Sequence, residues 1–307
     1  MPETSRRRER GQRNGSGTFG HGRNPDRPSL PRRFPSLPES VDGLPELAPE
    51  FWSVVDEGIA TLVLELTPGQ RAAIDAHARL LLAWNEQINL TALRTPEQIA
   101  RSHVLDSLLA VPAIRILTRG RATSVLDIGS GGGFPGLPLA AVLPAHRAVL
   151  VDSIGKKARF LNVAARAVAG LLGGAGSAGS AVEITALAER AEDLADAPDQ
   201  RERWDVVAAR AVGTVAELAE IGLPLARVRG HVVIWKRDAG DGLLAREVAD
   251  ARRIAQACGG GAPRIVTLTA AEQVGLEGHC LVVIEKRRAT PDRYPRQPGE
   301  RRRAPLN

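Results

Sequence analysis

The chain is poor in aromatic side chains: Phe, Trp and Tyr make up 3% of its 307 residues. With 43% apolar residues, its interior must be packed mainly by aliphatic groups. Cysteine occurs only at Cys258, before a glycine run, and at Cys280, inside an apolar run. That pattern gives no disulfide framework, and no metal is expected. Lysine is also scarce, with four among 41 basic residues. So strong an arginine bias fits a GC-rich coding composition, and no single Arg is read as chosen for its chemistry. No apolar run reaches the ~18 residues of a membrane helix, and the polar N-terminus lacks the apolar core of a secretory signal. A cytoplasmic protein without membrane contact is expected.

Charge is unevenly distributed. Residues 1–35 carry nine Arg against Glu3, Glu9 and Asp26, and residues 286–307 carry eight basic residues against Asp292 and Glu300. Each end holds a net +6 within a total of +6, so the middle is acidic. Basic arms suit a phosphate-rich partner; they equally suit solubility alone. Residues 1–48, rich in Arg, Pro, Gly and Ser, cannot bury enough apolar surface to order themselves and read as a disordered basic extension. Residues 287–307, with Pro291, Pro295, Pro298 and Pro305 among arginines, read as an extended tail that orders only on a partner.

Between the ends two regimes follow one another. Residues 49–120 form a helical region. Phe51 to Leu66 is helix-like, and Thr67-Pro68 is an N-cap followed by proline at the first helical position. Ile74, Leu80, Leu81 and Trp84 then keep a helical period until Asn85–Thr91, N-E-Q-I-N-L-T, breaks it. A second helix is expected from Pro96 to about Leu117. Residues 121–286 alternate strand and helix, which implies a doubly wound α/β sheet. Strands are expected at 124–128, 148–152, 182–186, 204–209, 231–236, 264–268 and 279–285, and helices at 136–143, 155–170, 191–195, 214–228 and 242–257. Only a loop separates the last two strands, so an antiparallel hairpin closes the sheet. Gly173 to Ser180 reads as a flexible loop insert.

The stretch Ser124–Gly136, S-V-L-D-I-G-S-G-G-G-F-P-G, organises the chain. A strand ending at Asp127 runs into glycines 129, 131, 132 and 133 and then into a helix, an arrangement that holds an adenosine-bearing cofactor. The glycines let backbone approach the ligand, and the helix start presents unpaired N–H groups. The frame Gly131-x-Gly133-x-x-Gly136 matches a dinucleotide fingerprint, so a nicotinamide cofactor stays open, as does a turn with no ligand. Against the dinucleotide, the frame from Gly129 places Phe134 at the third glycine and Pro135 inside the turn. Asp127, two residues before Gly129, gives a D-x-G-x-G form that resembles class I methyltransferases using S-adenosylmethionine. Asp152 ends the next apolar run, where a carboxylate can accept both ribose hydroxyls.

Six blocks occur in order: W-N-E-Q-I-N-L-T (84–91), R-S-H-V-L-D-S (101–107), D-I-G-S-G-G-G-F-P-G-L-P-L-A (127–140), V-D-S-I-G-K-K-A-R-F-L (151–161), A-A-R-A-V (208–212) and W-K-R (235–237). Together they resemble the RsmG family, also called GidB, guanine-N7 methyltransferases of small-subunit ribosomal RNA, over about residues 68–300. The N-terminal extension and the glycine-serine insert depart from the family without touching a motif. The resemblance implies a class I, Rossmann-like methyltransferase with a seven-stranded, mostly parallel sheet. It implies S-adenosylmethionine as cofactor, and 16S ribosomal RNA or the small ribosomal subunit as partner; a monomer is expected. It also implies donor contacts at Gly129, Phe134, Ala191, Glu192 and Arg210. An alternative is a class I methyltransferase of another RNA or of a small molecule; a non-enzymatic RNA-binding or assembly factor with a vestigial cofactor fold is another.

Guanine N7 has a free lone pair and no proton at neutral pH, so its methylation needs no general base, and no catalytic dyad stands out. Neither cysteine sits where the nucleophile of a pyrimidine-C5 transfer belongs, and the tetrapeptide of adenine-amino transfer is replaced by A-A-R-A-V. Candidates for positioning the base are Asn89, His103, Asp106 and Arg210, with Asn85, Thr91, Arg101 and Ser107 beside them. His103, Asp106 and Ser107 could equally dock the helical region onto the sheet, and Asn89-Leu90-Thr91 could simply cap a helix. Arg101, Lys156, Lys157, Arg159, Lys236 and Arg237 are candidate RNA contacts; for all but Arg101, whose segment 101–107 holds more polar types than a solvated face needs, the default reading is a solvated face. Trp84 and Trp235 read as core.

Overall fold

Seven runs of mostly aliphatic residues form one sheet: β1 (Thr123–Ile128), β2 (Ala145–Val151), β3 (Glu183–Leu187), β4 (Trp204–Arg210), β5 (Ala226–Arg237), β6 (Arg264–Thr267) and β7 (His279–Glu285), in the order β3-β2-β1-β4-β5-β7-β6. The computed structural model describes residues 36–173 and 182–303; the expected disorder of residues 1–35 and the flexible insert at 174–180 lie outside these described residues. β1, β2, β3, β4 and β5 pair in parallel, whereas β7 runs antiparallel to both β5 and β6. Central strands covered on both faces read as continuous apolar runs, and β1 is buried along its whole length.

Helices cover both faces. On one face α6 (Gly136–Val142) and α7 (Gly155–Leu172) carry Leu137, Phe160 and Leu161 into a core that also takes in the N-terminal helices. On the other, α8 (Ala191–Asp196), α9 (Val215–Leu225) and α10 (Leu243–Ala257) close a second core around Trp204, Leu223 and Ile234. In the N-terminal region, α1 (Pro49–Thr61) and α2 (Pro68–Asn85) present Phe51, Val55, Leu80 and Leu81 to the first core. Thr67 caps α2 through a reciprocal capping box with Gln70. Trp84 and Trp235 are both core residues.

Three expectations need correction. The helix expected from Pro96 to Leu117 is interrupted: α3 (Pro96–Ile99) runs into a π-helical turn, Ala100–Leu105, then α4 (Asp106–Leu108), a break, and α5 (Val111–Thr118). The Asp106 N–H reaches back five residues to the Arg101 carbonyl, and Pro112, which has no N–H, starts a new helix after the break. Such π-turns are uncommon and gather at functional sites.

Residues 36–48 belong to the folded part. Leu37, Val41, Leu44 and Leu47 pack on the first core. The indole of Trp84 donates to the Pro38 carbonyl at 2.9 Å, and Glu39 pairs with Arg159 and Arg166.

The tail after residue 286 is docked through its described part, to residue 303. Tyr294 is buried in the second core, Arg201 donates to the Thr290, Pro291 and Tyr294 carbonyls, and Arg296 grips the buried Glu220 on α9. A short helix, α11 (Pro298–Arg303), follows. Composition suggested a free arm because it counts apolar area alone, whereas this segment is held by ion pairs and carbonyl contacts.

Candidate active site

The glycine turn is held by its two flanking aspartates. Asp127, near the end of β1, accepts the Gly136 N–H at 3.0 Å and so ties the turn to the start of α6. Ser130 donates to the Asp127 carbonyl and accepts the Val151 N–H, joining β1 to β2. Asp152, just past β2, accepts the Gly131 N–H at 3.0 Å and the Ile154 N–H at 2.9 Å. Burial pushes the Asp127 carboxyl up to about 6, and its Oδ1 has no hydrogen-bond partner among the described residues.

Glycine is required at two points of this turn. At Gly129, φ is +72° and a Cβ would sit 2.3 Å from Val212 Cγ1; at Gly136 a Cβ would sit 2.3 Å from Leu150 Cδ2 and 2.7 Å from Asp127 Oδ2.

Beside the turn, at the carboxyl ends of β1, β2 and β3, lies a cavity of about 240 Å³. Gly129, Asp152, Ala191 and Glu192 lie on its wall, with Val212, Leu218 and Ile221 supplying apolar surface. This lining fits the nucleoside half of S-adenosylmethionine: carboxylates for hydroxyl and amino donors, aliphatic side chains for a flat ring. Burial opposes the Glu192 charge, but its own backbone N–H and Arg301 more than offset this and hold the carboxyl below its usual range.

The other two expected donor contacts are not on that wall. Phe134 is 4% exposed; its ring lies between His77, 4.4 Å away, and His103, 4.6 Å away. Arg210, at the end of β4, sits 5.5 Å from the Phe134 ring and donates to Asp106 Oδ2 at 2.7 Å, to the Ser102 carbonyl at 3.1 Å and to His103 Nδ1 at 2.9 Å. Because a guanidinium can only donate, Nδ1 of His103 accepts, and its Nε2–H donates to Thr91 Oγ1 at 2.8 Å. Burial, with the Arg210 charge, drives His103 down to about 4. His279 completes the group, 2.7 Å from Asp106 Oδ1. Burial works against the Asp106 charge, yet the bonds from His279 and Arg210 keep its carboxyl below the usual range.

The network borders the cavity through Val212, two residues past Arg210 and packed on Gly129. The positioning candidates therefore separate by environment. Asp106 and Ser107 are buried, and Ser107 donates to the His103 carbonyl. Asn85, also buried, bonds the Leu90 and Thr91 N–H groups and the Thr91 carbonyl, closing the loop after α2. Asn89 is exposed and accepts from Arg94 at 3.3 Å.

Two histidines of this group escape sequence reasoning. His77 bonds the Gly132 carbonyl at 2.7 Å, and burial drives it down to about 4. Its signal was present: a polar residue inside the apolar stripe of α2. His279 opens β7 and carries no such signal.

Most basic candidates have intramolecular partners. Arg101 donates to the Val274 carbonyl, Lys157 lies 3.9 Å from Asp152, and Arg159 pairs with Glu39. Lys236 pairs with Glu247, and Arg237 donates to the Glu277 carbonyl. Lys156 is exposed with no hydrogen-bond or ion-pair partner among the described residues.

A dinucleotide-binding sheet would continue its order with a parallel sixth strand. Here antiparallel β7 is inserted between β5 and β6, beside a glycine turn flanked by acids at 127 and 152; this is a class I methyltransferase. A family model described as GidB, rRNA small subunit methyltransferase G, matches residues 70–270, and the chain belongs to that family. Over 262 residues it is 36% identical to "Ribosomal RNA small subunit methyltransferase G" of Symbiobacterium thermophilum, which covers 84% of this chain and 99% of that one. Proteins of the same name from Roseiflexus sp. and Moorella thermoacetica are 41% identical over 233 residues and 37% over 245; the shares covered are 74% of this chain and 88% of the first, and 79% of this chain and 93% of the second.

Proposed function

We infer that the chain is an S-adenosylmethionine-dependent methyltransferase acting on N7 of a guanine in 16S ribosomal RNA of the small subunit. Alongside the family membership, the observation that carries this reading is the cavity at the ends of β1, β2 and β3, with Asp152 and Glu192 on its wall. When bound, the cofactor supplies an electrophilic methyl carbon on a sulfonium; the chain supplies position. Asp152 holds the turn through Gly131 and keeps acceptor capacity for ribose hydroxyls. Ala191 and Glu192 offer an N–H and a carboxylate to the adenine. Guanine N7 is unprotonated at neutral pH, so no residue has to remove a proton. His103 suits this chemistry: it is neutral, and both ring nitrogens are committed to Thr91 and Arg210. What remains is to hold two reacting atoms ~3–3.5 Å apart. Asn89, exposed two residues before Thr91, is the positioning candidate best placed to meet an unstacked base edge.

Lys156 and its neighbours on α7 serve as phosphate contacts in this reading, Arg101, Lys236 and Arg237 being secondary. The site of action is the cytoplasm, where small subunits are. Incubation with methyl-labelled donor and small subunits lacking the modification tests the assignment. The expected outcome is label in 7-methylguanosine of 16S RNA; label elsewhere, or none, overturns it.

A further inference from the structure

The described part of the C-terminal segment, to residue 303, reaches Glu192 on the cavity wall. Past β7 the chain is pinned at Lys286, whose fully buried Nζ lies 3.0 Å from Glu202. It is pinned again at Arg296, which contacts both Glu220 oxygens at 2.8 Å. α11 then brings Arg301 to Glu192, with Nη2 at 2.5 Å from Oε1. The two side chains are 11% and 17% exposed. Arg190, the other cation near Glu192, is mostly exposed and approaches only to 3.9 Å. Thus the carboxylate on the cavity wall is fixed by a residue 109 positions further along the chain. In addition, Arg301 Nη1 is buried and finds no acceptor among the described residues. An unmade bond of that kind is costly.

We propose that Arg301 is a positioning residue of the donor site: it holds the Glu192 carboxylate in one orientation, in which the carboxylate selects adenine by accepting its exocyclic amino group. This rests on reading the cavity as the donor's. A Glu side chain free to rotate would have to be ordered at each binding event, and a pre-ordered one spares that loss. A purine with a carbonyl in place of the amino group would set oxygen against oxygen, and mismatches of this kind discriminate strongly in a buried site.

The test is calorimetry on the full chain with S-adenosylhomocysteine and S-inosylhomocysteine, with thermal unfolding of each variant alongside. Wild type should bind the adenosine compound and discriminate against the inosine compound. Arg301→Ala should weaken adenosine-compound binding about tenfold and compress the discrimination, and Arg301→Lys should restore part of both. Arg303→Ala changes an exposed residue of α11, bonded to the Gly299 carbonyl and not to Glu192, and should leave the discrimination intact. If Arg301→Ala proves too unstable, the cycle is run with Arg301→Lys: in a Glu192→Gln background the Arg301 change should have no further effect on discrimination. Wild-type affinity and discrimination in both Arg301 variants, with binding still lost in Asp152→Ala, overturns the proposal and leaves the cavity assignment standing. Failure of the wild type to bind either compound overturns the assignment, and the proposal with it.

Discussion

Arg210 and Asp106, 104 residues apart, form an ion pair at 2.7 Å with side chains only 15% and 4% exposed. The pair ties the end of β4 to the segment just after the π-helical turn, and the Asp106 carbonyl also accepts the Trp235 indole N–H at 3.0 Å. Helical region and sheet are thus joined at the edge of the cavity. Asp106→Asn leaves Arg210 and His279 facing a neutral amide. Removing one partner of a buried pair typically costs 3–5 kcal/mol, and the slight exposure of Arg210 sets the expectation at about 3 kcal/mol. Urea unfolding at pH 7 measures it; a loss below about 1 kcal/mol would mean that solvent screens the pair as it does at a surface.

His77 gives a pH dependence of definite sign. Unfolded, it titrates near 6.5; folded, burial drives it down to about 4. Between these values the unfolded chain binds a proton that the folded chain refuses, so stability falls as pH drops through that window. Asp127 works the other way: its folded value of about 6 lies above the unfolded one, so its protonation below pH 6 favours the fold. His77→Gln retains a donor for the Gly132 carbonyl and removes only the first effect. Relative to wild type, the variant should gain about 2–3 kcal/mol between pH 7.5 and pH 4.5. Urea unfolding at both values checks this, and an unchanged difference refutes it.

Gly129 makes a sharper test of the turn. An alanine there faces both a positive φ and Val212 Cγ1 at 2.3 Å. The left-handed conformation alone costs about 1–2 kcal/mol. Gly129→Ala should weaken binding of S-adenosylhomocysteine at least tenfold by calorimetry. Adding Val212→Ala removes the 2.3 Å clash, leaving the Cβ of that residue at 3.2 Å, but not the backbone cost, so recovery should be partial. Full recovery in the double variant would mean that side-chain crowding alone governs the turn.

The sheet was legible because parallel strands buried on both faces must be apolar throughout. β5 was read five residues short at its start, since Arg227, Val228, Arg229 and Gly230 interrupt the apolar run. Asp152 and Glu192 line one cavity; the place of Asp152 follows from its position at the carboxyl end of a strand, where ligands meet such a sheet, whereas Glu192 comes from the family resemblance alone, since nothing in its own segment marks it. The π-helical turn was not legible: Pro96 to Leu117 has helical periodicity throughout, and periodicity does not register a ladder shifted by one residue. The docked tail was hidden for a related reason. Its partners Glu192, Glu202 and Glu220 lie 76 to 109 residues away, and composition taken segment by segment cannot see them.

This docking changes how RNA binding is to be tested. Trimming residues 287–307 would strip Tyr294 from the core and leave Glu220 buried without Arg296, so lost RNA retention would report lost fold. Lys156 is the cleaner probe, being exposed and unpartnered among the described residues. Lys156→Ala should leave stability within about 0.5 kcal/mol of wild type. If the ammonium neutralises one phosphate, the variant should bind small subunits several-fold more weakly, with the slope of log K against log salt reduced by about 1. Lys236→Ala behaves differently, because Lys236 already pairs with Glu247 at 2.7 Å and its side chain is only 18% exposed. It should lower the unfolding free energy by about 1 kcal/mol with little change in the salt slope. The reverse pattern, a slope change at Lys236 and none at Lys156, would place the RNA on the β5 side of the sheet instead of along α7.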